Sequence, residues 1–178
     1  MIAWAFDALR ASECSPCVLV LGREADAVLA AAGAAAPAAN ADVLVVRNEQ
    51  WESGIASSLR AAIGALVART EVDAVVVGLG DQPRVGPVAY RRLAAAYDAG
   101  ARLAVATYAG IRGNPVLLAR DHWDEALGLE GDEGARALMR RHASVEVPCD
   151  GTGEPTDVDT AEDLAALEAR WRSPTSST

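Results

Sequence analysis

Apolar and polar residues follow two rhythms along the chain. Apolar runs rich in β-branched residues fall at Cys17–Leu21, Asp42–Val46, Val75–Leu79, Leu103–Thr107 and Val116–Leu118, with a weaker one at Ser144–Pro148. Short runs of this kind, bounded by Gly, Pro or acidic residues, predict strands, and a run without polar alternation has no solvent face, as in a parallel sheet covered on both sides. Between the runs, apolar residues recur at helical spacing. Ile2, Phe6 and Leu9 mark a first helix, Val28 and Leu29 lie inward on a second over Glu24–Ala32, and Ile55, Leu59, Ile63 and Leu66 form the core stripe of a third. Further helices are predicted from Pro87 to Ala99 and from Asp121 to Leu127. One opens at Gly131–Arg136 with Asp132 as cap, and another follows Thr160, which with Asp163 approximates a capping box ahead of Leu164 and Leu167. The alternation predicts an α/β fold, a three-layer sandwich around a mostly parallel, Rossmann-like sheet. It forms one domain over residues 1–172, with a proline-broken alanine loop at 34–39 and a polar tail at 173–178 expected to be disordered.

The run at Val75–Leu79 ends in Gly80-Asp81-Gln82-Pro83. Ligands of open parallel sheets collect beyond the carboxyl ends of the strands, which puts Asp81 where a binding site is expected. Turn chemistry ahead of a proline explains the same residue equally well. At Asn48–Gly54, loop punctuation and a Ser53 helix cap are the simpler account; a nucleotide contact through Asn48, Gly54 and the nearby Ser57 and Ser58 is the alternative. Arg112 between two glycines is either a plain turn residue or a guanidinium held out to an anion. Asp157 and Asp159 precede the C-terminal helix; with Asp81 they make two carboxylate sites on separate loops, the minimum for holding a magnesium ion beside phosphates, and periodicity neither forbids nor proves that the loops meet.

Composition narrows the choice of function. The net charge is −9 over 178 residues, and every basic residue is arginine. A nucleic-acid surface needs clustered basic side chains, so none is expected. No apolar run approaches a membrane span and no signal peptide precedes the first helix, so the expected location is cytoplasmic. Cys14 and Cys17 have CxxC spacing but precede a strand instead of opening a helix, which disfavours redox chemistry. His122 and His142 stand twenty positions apart without a third imidazole and read as helix-terminus residues, not ligands.

Taken together, Asn48-Glu49-Gln50-Trp51-Glu52-Ser53-Gly54 with Ser57-Ser58-Leu59, Gly80-Asp81-Gln82-Pro83, Arg112-Gly113-Asn114-Pro115, Gly131-Asp132-Glu133-Gly134-Ala135-Arg136 and Asp157-Val158-Asp159-Thr160-Ala161-Glu162-Asp163-Leu164 resemble the molybdenum cofactor cytidylyltransferase family. The resemblance implies a sheet of the nucleotide-diphospho-sugar transferase type. It also implies a magnesium-dependent reaction in which a phosphate of a molybdopterin-type acceptor attacks the α-phosphate of CTP and releases pyrophosphate. By the same resemblance Asp81 and Asp159 are catalytic metal ligands and Asp157 is a further or alternate ligand. Asn48, Gly54, Ser58 and Gly80 lie along the nucleotide, and Arg112, Gly113 and Asp132 lie toward the acceptor. A molybdoenzyme or its maturation chaperone is the implied partner for the product.

The front of the chain departs from the family pattern. The family opens with a central strand and a glycine-rich loop ending in lysine, which cradles the triphosphate and helps choose the base. This sequence starts at the helix that normally follows. The first central strand is therefore expected to be missing, leaving either a gap between the strand at Cys17–Leu21 and the one ending at Leu79 or a rearranged sheet. Without that loop the chain is expected to be inactive. A guanylyltransferase of the same fold and a non-catalytic pterin- or partner-binding remnant are the alternative functions.

Overall fold

The computed structural model describes residues 2–32 and 43–172. The expected loop at 34–39 and tail at 173–178 lie outside these residues. The described elements run α1 (Ile2–Arg10), β1 (Cys17–Leu21), α2 (Ala25–Ala32), β2 (Val43–Arg47), a 3₁₀ turn at Trp51–Ser53, α3 (Ile55–Leu66), β3 (Ala74–Val77) and α4 (Pro87–Asp98). Then follow β4 (Leu103–Tyr108), β5 (Ile111–Ala119), a 3₁₀ turn at Arg120–His122, α5 (Trp123–Leu127), α6 (Arg136–Arg141), β6 (Val145–Pro148) and α7 (Ala161–Arg172). No described helix is long and apolar enough to cross a membrane.

The strands form two groups. β1 pairs in parallel with β2, Leu19 opposite Val45, and a separate four-stranded sheet runs in the order β3-β5-β4-β6. Within it β5 is antiparallel to both neighbours, with Leu117 between Val76 and Ala104, while β4 and β6 are parallel. The sheet is thus mostly parallel with one reversed strand. β5 is also longer than the run at Val116–Leu118 predicts. The hairpin turns at Ala109 and Gly110, both at positive φ, so Arg112 lies in the strand opposite Thr107 and is not a turn residue.

Period-two alternation sorts the four-stranded sheet into two faces. Leu103, Val105, Val116 and Leu118 pack with Leu59, Ile63 and Leu66 of α3 and with Trp123, Ala126 and Leu138 of α5 and α6. Ala104, Ala106 and Leu117 face Ala89, Tyr90 and Leu93 of α4, where the small alanines let the helix come close. Two helical layers therefore enclose the sheet.

β1 and β3 leave a gap between them, one of the two expected arrangements. A cavity of about 970 Å³ occupies the gap; Val18, Leu19 and Val20 line one side and Val75, Val76 and Val77 the other, with Phe6 of α1 and Ile63 of α3 closing its faces. Burial along the strands follows from it. Ala104–Thr107 and Asn114–Ala119 of the inner strands are buried, whereas every residue of β3 is only half-buried although all four are apolar. The continuous run at Val75–Leu79 predicts burial on both faces; an unpartnered edge keeps β3 from reaching it.

Candidate active site

β3 delivers the chain through Gly78-Leu79-Gly80 to Asp81, and the segment after Asp81 is stitched to the loop before α7. Gly86 N–H donates to Thr152 O at 2.9 Å, Glu154 N–H to Arg84 O at 3.2 Å, and Val158 N–H to Asp81 O at 2.9 Å. Arg84 pairs with Glu154, and Gly153, at φ +132°, passes so close to the Arg84 carbonyl that a side chain there would overlap it. Gln82 completes the join by donating from Nε2 to Asp157 Oδ1 at 2.7 Å and to Pro155 O at 3.3 Å. The capping box forms as expected, with Thr160 N–H bound to Asp163 Oδ2 at 3.0 Å and Asp163 N–H to Thr160 Oγ1 at 3.1 Å. Two segments remote in sequence thus present Asp81, Asp157 and Asp159 to one another.

The electrostatics of Asp81 record that proximity. Burial raises its carboxyl above the ordinary aspartate range, the Asp157 carboxylate pushes it further, and Asp159 adds a smaller push against the opposing pull of a backbone hydrogen bond. Asp81 Oδ1 is buried and accepts no hydrogen bond among the described residues. A buried carboxylate oxygen left unsatisfied beside two further carboxylates is an unfavourable arrangement in isolation and a suitable one for a hard divalent cation, which takes oxygen donors.

The Asn48 loop lies on the β2 side of the gap. Asn48 is 6% exposed, and its side chain is fully employed. Nδ2 donates to Ser57 Oγ at 2.7 Å and Ser58 Oγ at 3.0 Å, while Oδ1 accepts from Gln50 N–H at 2.9 Å. Asn48 therefore organises the start of α3, and Ser58 is the member of this group that lines the cavity. The helix cap is Gly54, not Ser53, whose hydroxyl donates to Gln50 O at 2.7 Å.

Gly54 has a packing reason to be glycine. It sits at φ +99°, and a Cβ there would overlap the Gly131 carbonyl and come within 2.8 Å of Asp132 Oδ1. The Gly131 carbonyl also accepts from Ala56 N–H at 3.0 Å. This contact brings Asp132 to the cavity wall beside the Asn48 loop. Asp132 does not cap α6, as the sequence predicts; that helix starts at Arg136 with Ala135 as its cap. The expected acceptor residue Arg112 is committed to Glu146, Nε to Oε1 at 2.8 Å, and to Met139 O at 3.3 Å. Gly113 lies against Tyr108 and Pro155, which places it near the loop that carries Asp157.

The family profile described as MobA-like NTP transferase domain matches residues 1–146. The chain belongs to this family. It is therefore of nucleotidyltransferase type. No curated protein is significantly similar to it. Among solved structures it is similar to Rv0371c from Mycobacterium tuberculosis H37Rv, at 33% identity over 93% of this chain and 82% of that one, with a TM-score of 0.77. A complex of Rv0371C from the same organism with manganese is 32% identical, with 93% and 84% coverage and a TM-score of 0.74. Molybdopterin-guanine dinucleotide biosynthesis protein A from Archaeoglobus fulgidus shares the fold at 18% identity, covering 87% of this chain and 78% of that one, with a TM-score of 0.58.

Several residues gain a place that their sequence context does not reveal. Gln82 reads as part of a turn, yet it is the side chain that steadies Asp157. Asn114, Arg136 and Arg140 line the cavity as well, and Arg136 also donates to Arg112 O at 3.2 Å. Helical spacing in α6 puts Arg136 and Arg140 on one face, the only available signal, and it does not say what that face meets.

Proposed function

We propose that the chain transfers a nucleoside monophosphate, cytidylate from CTP in the first instance, to a phosphate of a molybdopterin-type acceptor with release of pyrophosphate. The observation that carries the reading is the buried, partnerless oxygen of Asp81 beside Asp157 and Asp159. Asp81 and Asp159, with Asp157 as the further ligand, would hold magnesium. Once bound, the ion offsets charge on the phosphates where it develops.

The protein's own part is positioning, because nucleotidyl transfer needs alignment of attacking and leaving oxygens more than covalent help. Gln82 fixes the Asp157 carboxylate. Asn48 orders Ser57 and Ser58, and Ser58, Gly54 and Gly80 lie along the nucleotide. Asp132 and Gly113 lie toward the acceptor. Arg112, already paired with Glu146, acts there chiefly by holding β5 in place. Arg136 and Arg140 are the cationic side chains on the described cavity wall and answer the phosphate charge in a chain without lysine. The product would pass to a molybdoenzyme or its maturation chaperone.

The test follows pyrophosphate with CTP or GTP, magnesium and molybdopterin, for the wild-type protein and Asp81→Asn. The same comparison is also read as magnesium-dependent nucleotide binding. Losing one preorganised charge-stabilising group typically costs about 10²–10³-fold in rate, so a loss of that order with Asp81→Asn supports the reading. Preference for GTP would replace cytidylate by guanylate. Turnover or metal-dependent binding that ignores Asp81 would overturn the assignment.

A further inference from the structure

His122, Glu125 and His142, none of them a member of the carboxylate cluster at the end of β3, meet where the start of α5 and the end of α6 come together. Each offers one ligand atom, and these atoms all lie within 4.8 Å of one another. The geometry has a local cause. His122 caps α5 and Glu125 is three residues on, so both side chains project from one face of a single turn. His142 caps the C-terminal end of α6, fixed there by its N–H bond to Leu138 O at 3.0 Å.

His142 Nε2 stands 2.6 Å from Glu125 Oε2, and the two imidazole centroids are 5.1 Å apart at 54°. Glu125 Oε1 faces Arg141 at 3.5 Å. That arginine is held in a fork by Glu133, at 2.8 and 2.9 Å, so its charge is already answered. Oε2 is left to the histidines.

We infer that His122, Glu125 and His142 form a binding site for a borderline divalent cation, zinc foremost, that ties α5 to α6. Two imidazole nitrogens and one carboxylate oxygen are donors that suit zinc, whereas the all-oxygen set at Asp81 suits magnesium or manganese. Tetrahedral zinc with bonds of ~2.1 Å puts its ligand atoms ~3.4 Å apart. The present cluster brackets that spacing, and rotation of half-exposed side chains closes the remainder. A water takes the fourth position. Because α6 carries Arg136 and Arg140 on the cavity wall, the site braces the helix that supplies the cavity's cationic side chains.

The experiment titrates tag-free, chelator-treated full-length protein with Zn²⁺ against a chromophoric competitor, and with Co²⁺ by visible absorption. The expected result is one zinc per chain, retained in excess Mg²⁺. Cobalt should give d–d bands without thiolate charge transfer. His122→Ala and His142→Ala should each weaken zinc by more than the ~10–100-fold that loss of a mere outer-shell partner costs. The double variant Cys14→Ser, Cys17→Ser should bind as wild type. Glu125→Gln, close in shape to the parent, decides the matter should either histidine variant fail to fold, and it too is expected to weaken binding. Absence of one-to-one zinc binding overturns the proposal. So does affinity unchanged in the folded His122, His142 or Glu125 variants, or affinity lost in the cysteine variant.

Discussion

Replacing Gly54 by alanine tests whether the junction between α3 and the Asp132 loop is as tight as described. The substitution forces a Cβ into a residue at φ +99° and ψ 172°, a region that is essentially glycine's own. That backbone strain costs about 1–3 kcal/mol. The added methyl also overlaps the Gly131 carbonyl and lies 2.8 Å from Asp132 Oδ1, and the obstacle is backbone, which cannot swing aside. Overpacking of this kind adds about 1–3 kcal/mol. If the loop retreats to make room, the bond from Ala56 N–H to Gly131 O lengthens, with about 1 kcal/mol at stake. The expected destabilisation is about 2–6 kcal/mol, read as a shift in urea midpoint at unchanged slope and a fall in Tm of roughly 5–20 °C for a chain of this size. Gly134→Ala is the control. Its Cβ would meet Ile55 Cγ2 at an ordinary 3.5 Å, so less than about 1 kcal/mol is expected. Gly54→Ala within about 0.5 kcal/mol of wild type, or Gly134→Ala equally damaging, would refute the argument.

Gly64 is exposed within α3, and a Cβ added there meets nothing within 4 Å, so its change to alanine should gain about 0.5–1 kcal/mol of stability by thermal denaturation. Asn48→Ala leaves Ser57, Ser58 and the Gln50 N–H without their shared partner, and should cost about 2–4 kcal/mol by urea denaturation. Asp81 has its folded pKa raised, so the folded state binds more protons and stability falls as pH climbs from 3.8 through the higher folded value. Asp81→Asn should therefore be more stable than wild type at neutral pH without metal, and the gain should vanish below pH 3.8; an equal difference at both pH values contradicts the coupling.

Local pattern and long-range arrangement separate cleanly in this chain. β1 begins and ends where its apolar run does, and α4 starts at Pro87, because a fixed φ and a missing N–H suit a first helical turn. The length of β5 was not legible. Ile111-Arg112-Gly113 has turn-like composition and becomes strand only by pairing with Thr107 and Tyr108 across the hairpin. β3 reads as fully buried because burial is inferred from composition, while its actual exposure depends on which strand stands beside it. Asp81, Asp157 and Asp159 could be nominated from the motifs, but not the stitching of residues 84–86 to 152–154 that joins them. Sequence distance argued against pairing His122 with His142; α5 and α6 bring them together, and no periodicity reports a contact between two helix ends.

The central claim is that Asp81, Asp157 and Asp159 act as one cation site serving a nucleotide. Its most direct test is a Mn²⁺ titration followed by electron paramagnetic resonance, in which the free-ion signal disappears on binding. It is run with and without CTP, in a His142→Ala background that leaves the surface cluster unable to contribute. The account predicts saturable loss of signal at one ion per chain with nucleotide present, abolished by Asp81→Asn and weakened by Asp157→Asn and Asp159→Asn. Titration curves that superimpose for the parent and Asp81→Asn would contradict it.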